Sequence, residues 1–262
     1  MSTESGVEWR SAVGKDHITD PRDKRPEPTP ALTVEGEAAE ARWKPLFRIA
    51  GTAALVTAVL TPIALAVFAI WPPPYEGTAE DWFLVFQDNW LLGLMSLDLP
   101  FVVINILMIP IMLALYICLR RVSPSLMALA VTIFLVGVAA FFASNPSVEM
   151  LSLSNRYADA ATEAYRSSLL GAGEAMLATF QGTAFHVNYI LAQTAGIVIG
   201  AVMLRTTIFN RWIGYLMIGG NALGFGLYVP AVGLALSALS GVILWVWFIL
   251  IARRFFQLGR TS

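Results

Sequence analysis

Six runs of apolar residues, each free of Asp, Glu, Lys and Arg, dominate the sequence: Ile49–Trp71, Pro100–Leu119, Ser125–Ser144, Phe185–Leu204, Trp212–Tyr228 and Leu234–Ala252. About 20 such residues are what a helix needs to cross roughly 30 Å of hydrocarbon. Buried helices of a water-soluble bundle would carry charge on one face every few residues, and these runs do not. They therefore predict an all-α, polytopic membrane helix bundle with six transmembrane helices. The last two runs are separated by only a few residues around Pro230, which predicts a tight helical hairpin.

The distribution of charge supports the same reading. Sixteen of the 35 charged residues fall in the first 44 positions, so only 19 remain for the other 218. A chain of that kind cannot dress a water-facing surface, which excludes an ordinary cytosolic enzyme and a secreted disulfide scaffold. A formal net charge of −1 offers no basic field for phosphate backbones, so no nucleic-acid partner is expected. Residues 1–44 read as a polar, proline-containing, disordered cytoplasmic tail, and 45–262 as the membrane domain. No apolar segment precedes residue 45, so the first span is expected to serve as an uncleaved insertion signal.

Arginine and lysine counts orient the bundle. With the N-terminus inside, the inner flanks hold Arg42, Lys44, Arg48, Arg120, Arg121, Arg205, Arg211, Arg253, Arg254 and Arg260, and the outer segments only Arg156 and Arg166. This predicts both termini on the cytoplasmic side of the membrane. Trp43 and Trp212 fall at the expected inner boundary, and Trp71, Trp82 and Trp90 at the outer one. Pro62 and Pro110 are expected to kink the first two spans. Small residues four apart at Gly196/Gly200, Gly220/Gly224 and Ser237/Gly241 invite close helix packing, within the chain or in a homo-oligomer.

The outer connections predict short extracytoplasmic helices. Thr78 caps a helix from Ala79, whose Trp82, Phe83, Val85 and Phe86, followed by Trp90, Leu91 and Leu92, would hold it on the membrane surface. Asn145-Pro146 starts another, with Met150, Leu153, Tyr157, Ala161 and Tyr165 on one face. Gly171 and Gly173 are expected to end or bend it, and a shorter helix from Glu174 leads into the fourth span.

No phosphate-binding loop, dinucleotide fingerprint or metal-protease motif occurs. Cys118 is the sole cysteine and reads as structural. With one histidine outside the tail, a multi-histidine metal site within the chain is excluded. No catalytic residue, metal or cofactor is therefore assigned. A set of polar residues near the outer span ends remains: Asp98, Asn105, Glu174, His186, Gln193 and Asn221. Polar groups in a bilayer are costly and face the bundle interior. Either Asp98 and Glu174 are solvated acids while Asn105, Gln193 and Asn221 bond between helices, or Asp98, Glu174 and His186 converge on an outward-facing cavity. Such a cavity would bind a cationic solute, shuttle a proton or hold one metal. Three functions follow: a non-catalytic sensor, binding or assembly protein, which leads; a small-solute or proton-coupled transporter; and an outer-leaflet hydrolase or transferase. The expected partners are the lipid bilayer and, as an alternative use of the small-residue helix faces, a second copy of the chain; no small-molecule ligand is named by the sequence.

Several short motifs carry a resemblance. They are Leu97-Asp98-Leu99, Ala114-Leu115-Tyr116 leading to Leu119-Arg120-Arg121, Gly173-Glu174-Ala175, Met203-Leu204-Arg205 with Phe209, and Ile251-Ala252-Arg253-Arg254 before Leu258-Gly259. From Trp90 to Gly259 the chain resembles a family of uncharacterised bacterial membrane proteins, one of the domain-of-unknown-function groups. The resemblance implies a six-helix architecture. It brings no activity and hence no catalytic residues.

Overall fold

A computed structural model describes residues 42–260 of the 262. The tail expected over 1–44 lies almost wholly outside the described residues. Every regular element among those residues is helical. Ten α-helices run in order: α1 (Lys44–Ile70), α2 (Ala79–Asp88), α3 (Trp90–Ser96), α4 (Leu99–Leu119), α5 (Pro124–Ser144), α6 (Ser147–Ala158), α7 (Glu163–Phe180), α8 (Thr183–Met203), α9 (Arg211–Gly224) and α10 (Gly233–Arg260). A 3₁₀ turn, Phe225–Tyr228, extends α9.

Five helical runs are long and apolar enough to cross a membrane: Lys44–Ile70, Leu99–Leu119, Pro124–Ala158, Glu163–Met203 and Ala235–Arg260. The run expected over Trp212–Tyr228 differs. Its α-helix stops after 14 residues at Gly224 and hands over to the 3₁₀ turn. The last helix is longer than its apolar run, reaching Arg260.

The long helices and α9 form a closed ring in which α4, α1, α10, α9, α8 and α5 are successive neighbours and α5 returns to α4. The first and last helices are thus packed side by side. The ring's interior holds Ile111, Leu115, Met127, Ile199, Trp247 and Phe255, all fully buried. Its outside is apolar as well: Ile49, Val59, Leu129, Val136, Ile190 and Val242 are all exposed. A surface of this composition is matched to lipid rather than water.

Glycine sets the spacing of α8 against α9. A Cβ on Gly200 would stand 3.0 Å from the Gly214 carbonyl oxygen, and one on Gly214 3.2 Å from that of Gly200. Gly196 lies against the Asn221 amide and Gly224 against that of Gln193. Two of the small-residue pairs are therefore used inside the chain, while Gly241 faces open space.

The connections α1–α4 and α5–α8 form a helical cap at one end of the ring. Its core comprises Trp82, Phe83, Phe86, Leu97, Met150 and Phe180. Trp82, Phe83 and Phe86, which the sequence pattern places on a membrane surface, instead face α6 and α7. Packing against other helices buries both faces of the aromatic rings, which an interfacial position would not. The helix from Ala79 also ends sooner than its apolar pattern suggests. Asn89 is extended, and its side-chain oxygen accepts from the Leu91 and Leu92 amides at 3.1 Å each, opening α3 as a separate helix. That local cap competes with helix continuation.

The second connection also breaks elsewhere than expected. It stops at Ala158 and restarts at Glu163, where Thr162 accepts a hydrogen bond from the Tyr165 amide. Gly171 and Gly173 lie inside α7. Gly173 is needed for contact rather than for a bend, because a Cβ there would lie 2.8 Å from that of Ala79 and 2.9 Å from the Phe83 ring. Asn145 accepts from the Ser147 amide at 3.3 Å, as a cap would, and in addition donates to the Leu97 carbonyl at 2.8 Å, while the Ser147 hydroxyl donates to the same oxygen at 2.6 Å.

Candidate functional site

The ring has two chemically distinct ends. At one, Arg48 donates from Nε to the Gly259 carbonyl at 3.1 Å and Arg254 to that of Ile208 at 2.7 Å. These bonds gather the start of α1, the end of α10 and the α8–α9 loop. The other end carries the cap and the acids Glu80, Asp98 and Glu174. Each polar residue singled out from the sequence has a definite place relative to this frame.

His186, in the first turn of α8, is exposed, and its Nδ1 lies 3.1 Å from the Tyr228 hydroxyl. The two rings are tilted with centroids 5.7 Å apart, and Tyr189 meets Tyr228 edge-on at 6.1 Å. The Tyr189 hydroxyl donates to the Gly224 carbonyl at 2.9 Å and lies 3.1 Å from Ser237 Oγ on α10. Below this, the Gln193 amide packs on Gly224 and the Asn221 amide on Gly196, both side chains being buried. The structure thus joins His186, Gln193 and Asn221 in one polar column along the α8–α9 seam. Tyr189 appears at helical spacing after His186. Tyr228 and Ser237 have no signal in the sequence, because only the 3₁₀ turn and the α9–α10 hairpin bring them there.

Asn105 and Asn221 use their amide donors within their own helices. Asn221 Nδ2 donates to the Met217 carbonyl at 2.6 Å and Asn105 Nδ2 to that of Phe101 at 2.9 Å, both four residues back in the same helix. This self-bonding satisfies the amide donor without a partner helix.

Glu174 is a helix cap in trans. Its Oε1 accepts from the Ala79 amide at 2.7 Å, holding the start of α2 from α7. The positive end of a helix is a favourable site for a carboxylate. Thr78 and Asp81 complete the same terminus as a reciprocal capping box.

Asp98 sits at the corner between α3 and α4 in left-handed backbone, φ 62°. Its side chain makes no capping bond to α4. Burial raises its carboxyl to about 7. Burial, and then the charge of Asp98, pushes the Tyr75 hydroxyl up to about 12. Among the described residues, no hydrogen bond joins any two of Asp98, Glu174 and His186. Glu174 and His186 are engaged with the α2 terminus and Tyr228 respectively, while Asp98 acts on Tyr75 through its charge. No group of three or more His, Cys, Asp or Glu side chains that could hold a metal ion occurs among the described residues.

Fold and site together define an α-helical integral membrane protein with a helical cap at one end and an exposed histidine–tyrosine pair. The chain belongs to the family described as the domain of unknown function DUF4386, whose pattern matches residues 49–257. No curated protein and no solved structure is detectably similar to it.

Proposed function

We propose that this is a six-span protein of the bacterial cytoplasmic membrane with both termini in the cytoplasm, working as a non-catalytic binding or sensing protein. Its ligand enters at the exposed His186–Tyr228 mouth and reads the polar column beneath. The observation that carries this is the division of labour among the polar groups. His186, Tyr189, Tyr228 and Ser237 form one connected cluster, whereas Glu174 is taken up as the cap of α2 and no hydrogen bond joins Asp98 to the cluster among the described residues. General acid–base catalysis requires its groups within hydrogen-bond reach, directly or through one water.

The sixth crossing is supported by length. A 14-residue α-helix and a four-residue 3₁₀ turn form a rod of roughly 29 Å, close to the hydrocarbon thickness. Orientation is supported by the ten basic residues at the end opposite the cap, following the preference of Arg and Lys for cytoplasmic loops.

Two measurements test the reading. Single cysteines replacing Ser167 and Thr207 in a Cys118→Ala background should react differently with an impermeant maleimide on intact cells, Ser167→Cys labelling and Thr207→Cys not. A thermal-shift screen of small aromatic and cationic solutes on the purified protein should give hits that His186→Ala and Tyr228→Phe both abolish. Chemical conversion of a hit, or its accumulation in vesicles, would overturn the non-catalytic binding role.

Asp98 favours a second reading, proton-coupled transport. Its carboxyl is desolvated, has no hydrogen-bond partner among the described residues, and exchanges its proton near neutral pH. Solute uptake in vesicles that requires a pH gradient and fails in Asp98→Asn would establish it.

A further inference from the structure

The end of the ring opposite the cap holds a cleft of about 440 Å³ between the α8–α9 loop and the last turns of α10, lined by Thr207, Ile208, Asn210, Ile213, Leu250, Arg253, Arg254 and Gln257. It contains two guanidinium groups and no carboxylate. The two arginines differ in role. Arg254 is built into the wall, with Nε bonded to the Ile208 carbonyl and Nη1 to Gln257 Oε1 at 3.1 Å. Arg253 is exposed and, among the described residues, has neither an acid nor a hydrogen-bond acceptor as partner. The loop that forms the opposite wall is anchored from behind by Phe209, buried and edge-on to Phe255 at 6.4 Å. A fixed arginine beside a free one, in a concave wall with Thr, Asn and Gln donors, matches the oxygen-rich, bidentate geometry of a phosphate.

The surroundings indicate where that phosphate comes from. Ile208, Ile213 and Leu250 make one side of the cleft apolar. Trp212 and Tyr215 stand just beyond it, exposed and edge-on at 6.2 Å. Amphipathic rings of this kind prefer the headgroup level of a bilayer, and basic pockets between spanning helices suit anionic headgroups. The geometry points to a phosphate-binding site at this cleft, formed by Arg253 and Arg254 and filled by the phosphodiester of an anionic phospholipid. The site is separate from the His186–Tyr228 column and does not depend on it.

The test uses the full chain in nanodiscs. Phosphatidylglycerol titrated into a phosphatidylcholine bilayer should raise the unfolding midpoint and be retained as a bound lipid in native mass spectrometry. Arg253→Gln, which breaks no bond within the described chain, should weaken this by at least tenfold. Arg211→Gln, an equal charge loss at the same end but outside the cleft, should change it less than twofold. Competition by millimolar glycerol phosphate or inorganic phosphate would still support the phosphate site but assign it to a soluble ligand. Equal losses in the two variants, or no preference for phosphatidylglycerol over phosphatidylcholine, would overturn it.

Discussion

The indole Nε1 of Trp245, on α10, donates a 2.7 Å hydrogen bond to the carbonyl oxygen of Ala58, on α1. That carbonyl is the one whose helical donor would come from residue 62, and residue 62 is proline. Pro62 lies inside α1, which continues through it. A proline removes one i→i−4 bond from a helix, and in hydrocarbon no water replaces it. The distant indole fills the gap and at the same time joins the first and last helices of the ring.

Trp245→Phe should therefore destabilise the protein by about 1–3 kcal/mol, the cost of an unpaired buried polar group. Pro62→Ala restores the local donor, so in that background Trp245→Phe should cost less than half as much. A double-mutant cycle on unfolding free energies checks the coupling. Additive effects would show that the indole does not substitute for the missing amide.

The carboxyl of Asp98 makes stability depend on pH in a definite direction. Its folded value, about 7, exceeds the usual 3.8. Folding therefore takes up a proton between about pH 4 and 7, and stability falls as pH rises through that window before levelling off. A tenfold change in proton affinity corresponds to about 1.4 kcal/mol, so the effect is large enough to see in thermal unfolding. Asp98→Asn keeps a residue tolerant of left-handed backbone and stays neutral throughout. It should match the parent at pH 4 and be more stable at pH 8. A variant with the parent's pH slope would show that another group is responsible.

Adding a methyl group to the α8–α9 seam should be costly where glycine permits contact. Gly196→Ala forces the new carbon into the Asn221 amide, and overpacking of this kind costs about 1–3 kcal/mol. Gly219→Ala and Gly241→Ala meet nothing within 4 Å and should be neutral or slightly stabilising, since alanine is the better helix former. Comparing the three midpoints separates packing from propensity.

Removing the carboxylate of Glu174 should loosen the cap without unfolding the ring. Loss of a helix N-cap acceptor costs about 1 kcal/mol. Glu174→Ala should increase hydrogen exchange at Ala79 and the following amides of α2, while the amides of α5 and α8 keep their protection. Equal protection in the variant would mean that Thr78 and Asp81 suffice to hold this terminus.

Local chemistry is legible from the sequence, and non-local pairing is not. Thr78 and Asp81 define the start of α2 through bonds three residues apart, so the boundary can be read directly. The break at Asn89 is equally local, yet the apolar run through Leu92 obscures it. Gly171 and Gly173 look like a helix end because isolated glycine disfavours helix, whereas contact with Ala79 and Phe83 is what Gly173 serves. Of the polar residues, His186, Gln193 and Asn221 come together, while Glu174 caps α2 and Asp98 sits apart at the corner between α3 and α4.

The medium and the long apolar helices can be read from composition along the chain, because the cost of placing charge in hydrocarbon is set by each run of about twenty residues alone. Long-range packing, by contrast, gathers the connections into a cap, brings Glu174 to close a helix 95 positions away, lets Trp245 repair the gap left by Pro62, and sets two neighbouring arginines in a cleft with the α8–α9 loop. Those relationships depend on which helices become neighbours around the ring, and no apolar run encodes its neighbour.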